Sequence, residues 1–255
     1  AVKDGTSDGK MIDERVDQRR DFVLAEHKSS GEWSFDAAKQ HQAAEAAAEK
    51  CLVLLKNDEH LLPLKKDARV AVIGEFAARS RYQGAGSSMV NAERVESTMA
   101  LLLGYFLKNV GYAQGFERQD KPDAELEAQA IALAKNAECV LMYIGLPESF
   151  ETEGLDRTHM RLPQNQIDLL EKIHAVNPHV IVVLSAGSVV ETGWVSRCTA
   201  VLHAYLGGQA GAGAIMDVLT GRVHPRGQLA EPLPLPYEHP PAARSFPGKT
   251  PNVKY

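Results

Sequence analysis

The segment from Gly145 to Pro163, GLPESFETEGLDRTHMRLP, carries Glu148, Glu151, Glu153 and Asp156 beside Arg157 and Arg161. Carboxylates crowded together raise one another's proton affinity, while an adjacent guanidinium holds a chosen one ionised. That combination suits a general acid or base. It suits equally a solvated acidic loop shaped by an Asp156–Arg157 or Glu–Arg clasp, and composition alone leaves both readings open.

A second candidate is Arg81 to Ser88, RYQGAGSS. Its Gly84-Ala85-Gly86 resembles the start of a dinucleotide fingerprint, but Met89 stands where the third glycine belongs, and the turn does not open a helix directly behind the apolar run RVAVIG. A glycine-rich turn followed by Ser87 and Ser88 can approach a polar ligand closely and offer it N–H and hydroxyl groups. A tight surface turn explains the same residues.

Other constellations fail. Val183 occupies the first glycine position of a nucleophile elbow at Val183 to Gly187. The nine histidines form no HExxH pair, and no P-loop or EF-hand is present. His203 sits in an apolar run and reads as a satisfied core residue. The three cysteines form no CxxC pair. Cys51 and Cys139 lie in apolar stretches and read as buried small hydrophobes in a reduced, cytoplasmic protein.

The elements that must position these groups follow from hydrophobic patterning. Arg69 to Gly74, Cys139 to Gly145, Val180 to Leu184 and Ala200 to Ala204 are apolar runs typical of buried strands. Asp123 to Asn136, Pro163 to Val176 and Ala210 to Leu219 read as helices between and after them. A further helical stretch begins at Asp36 and runs through the Ala-rich AAEAAAEK into LVLLKN, with DEHLLPL extended behind it. Alternating strands and helices imply an α/β fold, a three-layer sandwich with a mostly parallel β-sheet between helices. In such sheets ligands meet the loops at the carboxyl ends of the strands, here those after Ile73, Ile144, Leu184 and Ala204.

Length and charge bound the remainder. The 255 residues, 44% hydrophobic and 24% charged, suffice for a sizeable core. A net charge of -5 gives no electrostatic case for nucleic acid or an anionic membrane surface. No transmembrane run and no signal peptide are visible. Eight of the 13 prolines fall from Pro225 onward, so that tail is expected to run extended over a surface.

Taken in order, AAAEKCLVLLKN with LLPL, VAVIGEFA, RYQGAGSS, ESFETEGLDRTHMRLPQNQ, VIVVLSAGSVVE and LGGQAGAGAIMDVLTGRVHPRGQL resemble the C-terminal α/β-sandwich domain of glycoside hydrolase family 3, a family mostly of β-glucosidases. The likeness runs from about Ala43 to Leu229. It implies three regions: 1–35, a residual helix (Met11 to Ala25) and linker from a preceding (β/α)8 barrel; 36–229, the sandwich; and 230–255, the Pro-rich tail. The barrel, which nothing here matches, supplies the family's Asp nucleophile.

By its position before GLDR, Glu153 is the implied acid/base, with Glu151 the runner-up. Asp156 and Arg157 are then expected to position the loop beside the substrate, with Arg81, Ser87 and Ser88 lining the rim where the sugar or its leaving group sits. The implied partners are a β-linked glycoside, the barrel domain and, through the face the barrel would cover, a second copy of the chain as a homo-oligomer. No cofactor and no metal are expected. Without the barrel the chain should be inactive, and a solvent-facing Glu153 should titrate like an ordinary carboxyl. Two other readings compete: a non-catalytic carbohydrate-binding or scaffolding module, and a nucleotide-binding α/β protein, which would need a phosphate loop behind RVAVIG.

Overall fold

The computed structural model describes residues 36–235. Helix α1 (Ala37–Cys51) begins where the Asp36 carboxylate accepts the Lys39 N–H at 3.0 Å, the usual way a short acidic side chain satisfies a free helix donor. After it come strands β1 (Val53–Asn57), β2 (Arg69–Ile73) and β3 (Lys108–Ala113), with the single-turn helices α2 (Glu75–Ala78) and α3 (Thr98–Leu101) between the last two. Helix α4 (Ala124–Ala134), β4 (Cys139–Gly145), α5 (Gln164–Val176), β5 (Val180–Ser185), β6 (Ala200–His203) and α6 (Gly211–Leu219) complete the described part. Asp123 caps α4 by accepting the N–H groups of Glu125 and Leu126, each at 3.0 Å.

The strands form one six-stranded sheet in the order β1-β6-β5-β4-β2-β3. All neighbours are parallel except β1, which runs antiparallel to β6. Alternation along each inner strand divides the core in two. Val70, Val72, Leu141, Tyr143, Ile181 and Val183 face one side with Phe76 of α2 and Ile215 and Met216 of α6. Ala71, Ile73, Val140, Met142, Val182 and Leu184 face the other, under Ala130 and Ala134 of α4 and Leu169, Leu170 and Ile173 of α5. Both faces being covered, the inner strands can be apolar throughout, and each fully buried Val, Leu or Ile contributes about 1.5–3 kcal/mol.

The inner strands and α4, α5 and α6 lie where the sequence places them; the edges differ. LVLLKN does not continue the helix. Helix α1 ends at Cys51, and Val53–Asn57 is edge strand β1, which gains ladder hydrogen bonds from β6 and buries Val53. The other edge, β3, was not anticipated: KNVGYA mixes polar and small residues and buries only Ala113, so it lacks the apolar run that marks an inner strand. Cys51 is exposed at the end of α1, contrary to expectation, whereas Cys139 and Cys198 are buried. The expected N-terminal helix (Met11 to Ala25) and the tail beyond residue 235 lie outside the described residues.

Candidate functional site

The loops after β2, β4, β5 and β6 converge at the carboxyl end of the sheet. Their anchor is the end of β4. Gly145 packs so closely on β5 that a side chain there would run into the Ser185 carbonyl oxygen. Gln166, fully buried on α5, clamps the same residue: the Gly145 N–H donates to Oε1 at 2.9 Å, and Nε2 donates to the Gly145 carbonyl at 3.0 Å. The acidic loop therefore leaves the sheet at a fixed point.

Its first part is held from below by two arginines. Arg81, whose side chain is 1% exposed, donates from Nε to the Leu146 carbonyl at 3.1 Å and faces Glu151 Oε2 at 3.4 Å. Arg118, in the segment after β3, bridges Glu75 and Glu148 at 2.7 Å each, donates to the Arg79 carbonyl at 2.9 Å, and lies 4.7 Å over the Phe76 ring. Burial alone would raise the Glu148 carboxyl; its own backbone N–H, Arg118 and Arg81 outweigh that and hold it below its ordinary value.

Glu151 is enclosed as well. The Ser188 hydroxyl, from the loop after β5, donates to Oε1 at 2.7 Å, and Arg157 Nη1 donates to Ser188 Oγ at 2.8 Å. Arg157 also bonds the carbonyls of Val189 (2.8 Å) and His159 (3.2 Å). Only 9% of the Glu151 side chain is exposed. Nearby His203, at the end of β6, stacks on Tyr205 with ring centres 3.8 Å apart. Burial depresses its basicity, with the Leu184 carbonyl and the Glu151 charge opposing that shift.

The tip of the loop is different. Glu153, Gly154, Leu155 and Asp156 are all exposed. Opposite them stands the glycine-serine turn: Ala85 N–H donates to the Glu151 carbonyl at 3.3 Å, and Ser87 N–H donates to Glu153 Oε2 at 3.0 Å. The Ser87 hydroxyl and then its N–H hold the Glu153 carboxyl below its ordinary value, so the expectation of an ordinary carboxyl is corrected downward.

Of the residues expected from sequence, Arg81, Ser87, Glu151, Glu153 and Arg157 thus form one connected set. Arg81 stands beneath the loop and not on an open rim. Ser88 is exposed beside Ser87, and Asp156 makes no hydrogen bond among the described residues. Arg118, Glu75 and Ser188 were not anticipated: Arg118 follows the unrecognised edge strand, and Ser188 directly follows the Val183 to Gly187 segment that was weighed as a nucleophile elbow. Behind β2, where a nucleotide phosphate would need a helix N-terminus, the four-residue α2 begins with Glu75, whose buried carboxylate is paired to Arg118. That charge repels a phosphate instead of cradling it. No group of three or more His, Cys, Asp or Glu side chains among the described residues could hold a metal ion.

Residues 52–252 match the glycosyl hydrolase family 3 C-terminal domain. The whole chain is similar to thermostable beta-glucosidase B of Acetivibrio thermocellus, 38% identical over 260 residues, covering 34% of that protein. It is similar also to an exo-alpha-(1->6)-L-arabinopyranosidase of Bifidobacterium breve, 37% identical with all of this chain and 35% of that protein covered. Among solved structures, the GH3 beta-glucosidase of Bifidobacterium adolescentis superposes with a TM-score of 0.86 at 37% identity, over 97% of this chain and 37% of that one. The chain spans about a third of the length of the curated relatives it matches.

Proposed function

The chain belongs to the glycosyl hydrolase family 3 C-terminal domain family, and from that premise we propose that it forms one wall of the active site of a retaining β-glycosidase of β-glucosidase type, with Glu153 as the acid/base. A (β/α)8 barrel supplies the Asp nucleophile, and the substrate is a β-linked glycoside. The observation that carries the choice of residue is the contrast in access: the Glu153 carboxylate is at the exposed tip of the loop, whereas Glu151 is enclosed by Arg81 and Ser188. A group that transfers a proton to a substrate must reach it.

In the first step Glu153 gives its proton to the glycosidic oxygen as the C–O bond breaks and the Asp carboxylate bonds to the anomeric carbon. In the second, ionised Glu153 takes a proton from water, whose oxygen bonds to that carbon and frees the Asp. This chemistry requires the two carboxyls about 5–5.5 Å apart, so the loop must reach over the barrel. Residues 1–35 are the connection from that barrel, 36–229 the sandwich and 230–255 the Pro-rich tail. Arg157, through Ser188 and Val189, holds the loop; Ser87, Ser88 and Asp156 border the substrate, with Arg81 below. The three free cysteines fit a cytoplasmic setting, with the thiols of Cys139 and Cys198 pushed up to about 12 by burial. No helix among the described residues is long and apolar enough to cross a membrane.

The test is nitrophenol release from p-nitrophenyl β-glucoside by the chain alone and after mixing with a separately expressed family barrel. Silence alone and turnover on mixing is the expected result. Turnover by the chain alone would mean that it holds its own nucleophile. A defined glucose or cellobiose site in the chain, with no turnover on mixing, would favour the carbohydrate-binding module instead.

A further inference from the structure

We propose that the Gly86–Ser87 turn is the resting dock of the Glu153 carboxylate, and that Ser87 is a positioning residue that must release Glu153 before it can protonate a leaving group. The second half rests on the acid/base reading above; the dock itself does not. Gly86 adopts φ +98°, a left-handed conformation that favours glycine. A Cβ on it would stand 3.0 Å from both Cβ and Cγ of Glu153, so the glutamate side chain lies directly across the space a larger residue would fill. The next N–H, that of Ser87, then donates to Glu153 Oε2 at 3.0 Å, and the Ala85–Glu151 backbone bond sets the register of the two loops.

Nothing else among the described residues competes for this carboxylate. The two nearest arginines are committed elsewhere, Arg81 to Glu151 and the Leu146 carbonyl, Arg157 to Ser188, His159 and Val189. The neighbouring charge on Glu148 is taken by Arg118. Glu153 is therefore held by hydrogen-bond donors alone, and donors favour the ionised form. Docked Glu153 is a base. The first step of a retaining hydrolysis needs the acid. Taking up a proton removes the charge that makes the Ser87 bond a strong one, so proton uptake and release from the dock are one event. The turn read from sequence as a sugar contact thus binds, at rest, the loop's own carboxylate.

The dock is tested on this chain without a barrel, by following the Glu153 carboxyl carbon and the Ser87 amide proton through an acid titration by NMR. Both should move with one midpoint, below the value of about 4.3 for a free glutamate. Ser87→Ala, which keeps the N–H and loses the hydroxyl, should raise that midpoint, and Gly86→Ala should raise it further by wedging the side chain away. A Glu153 midpoint at the ordinary value with a Ser87 amide that does not follow it overturns the dock. Should Gly86→Ala unfold, the wild type and Ser87→Ala still decide. In the barrel-complemented enzyme, Ser87→Ala should move the alkaline limb of the kcat/KM pH profile, on which the acid loses its proton, toward higher pH, and an unmoved limb overturns the release step. Failure of the acid/base reading looks different: the two resonances still titrate together, but Glu153→Gln leaves turnover intact.

Discussion

Glu151 and Glu153 are two residues apart on one loop, yet the fold treats them oppositely. Glu151 is pressed between a buried guanidinium and the Ser188 hydroxyl, on a base fixed to the sheet through Leu146, Gly145 and Gln166. Glu153 is exposed and held by one turn of another loop. The difference teaches that a cluster of carboxylates is not a set of equivalent candidates. Those enclosed by arginines build the platform, and the one left outside is free for chemistry.

The sharpest way to break that contrast is a leaving-group series in the barrel-complemented enzyme. Glu153→Gln should lower kcat/KM, which reports the first step, about 10²–10⁴-fold for alkyl glucosides, the usual size of a general-acid contribution, and much less for a dinitrophenyl glucoside, because that leaving group departs without a proton. An equal loss across the series would remove Glu153 from the acid role. Next in size is Arg81→Ala. Taking away one member of a buried pair costs about 3–5 kcal/mol, and urea unfolding of the chain should show it; a loss too small to measure would mean that the base of the loop is as solvated as its tip.

Arg118→Ala comes third. Its partner Glu148 is 43% exposed, so solvent screening limits that bridge to about 1–2 kcal/mol, and the buried Glu75 keeps Arg79 at 3.3 Å as a second partner. The pH dependence has a definite sign. Glu148 titrates below its ordinary value in the folded chain, so the bridge stabilises fully above the unfolded value and fades as pH falls through the lowered one. The gap between wild type and Arg118→Ala in urea should therefore narrow in acid; a gap that widens in acid would contradict the assigned shift.

What could be read in the sequence divides along the same line between interior and surface. The four inner strands announce themselves because both faces of Val70–Ile73, Cys139–Gly145, Val180–Ser185 and Ala200–His203 are buried, which favours apolar runs. The two edges stayed hidden: β3 carries polar residues and a glycine, and β1 follows a strong helix former without a break. At the site, the motif order marked the acidic loop and the glycine-serine turn, each as a candidate border of the substrate, but not the Ser87–Glu153 bond that joins them. Which carboxylate is enclosed depends on Arg81 and Ser188, 70 residues before and 37 after Glu151. Pairing over such separations leaves no local pattern. Arg118 is the extreme case, a side chain that bridges Glu75 and Glu148 from behind an edge strand that itself gave no signal.

The account rests on the division of labour between the two glutamates, and one paired measurement addresses it directly. Glu151→Gln and Glu153→Gln would be compared for p-nitrophenyl β-glucoside turnover with the barrel domain and for midpoint of thermal unfolding alone. The account predicts that Glu153→Gln loses turnover and keeps its midpoint, while Glu151→Gln lowers the midpoint. The reverse pattern, turnover surviving in Glu153→Gln and an unchanged midpoint in Glu151→Gln, would contradict it.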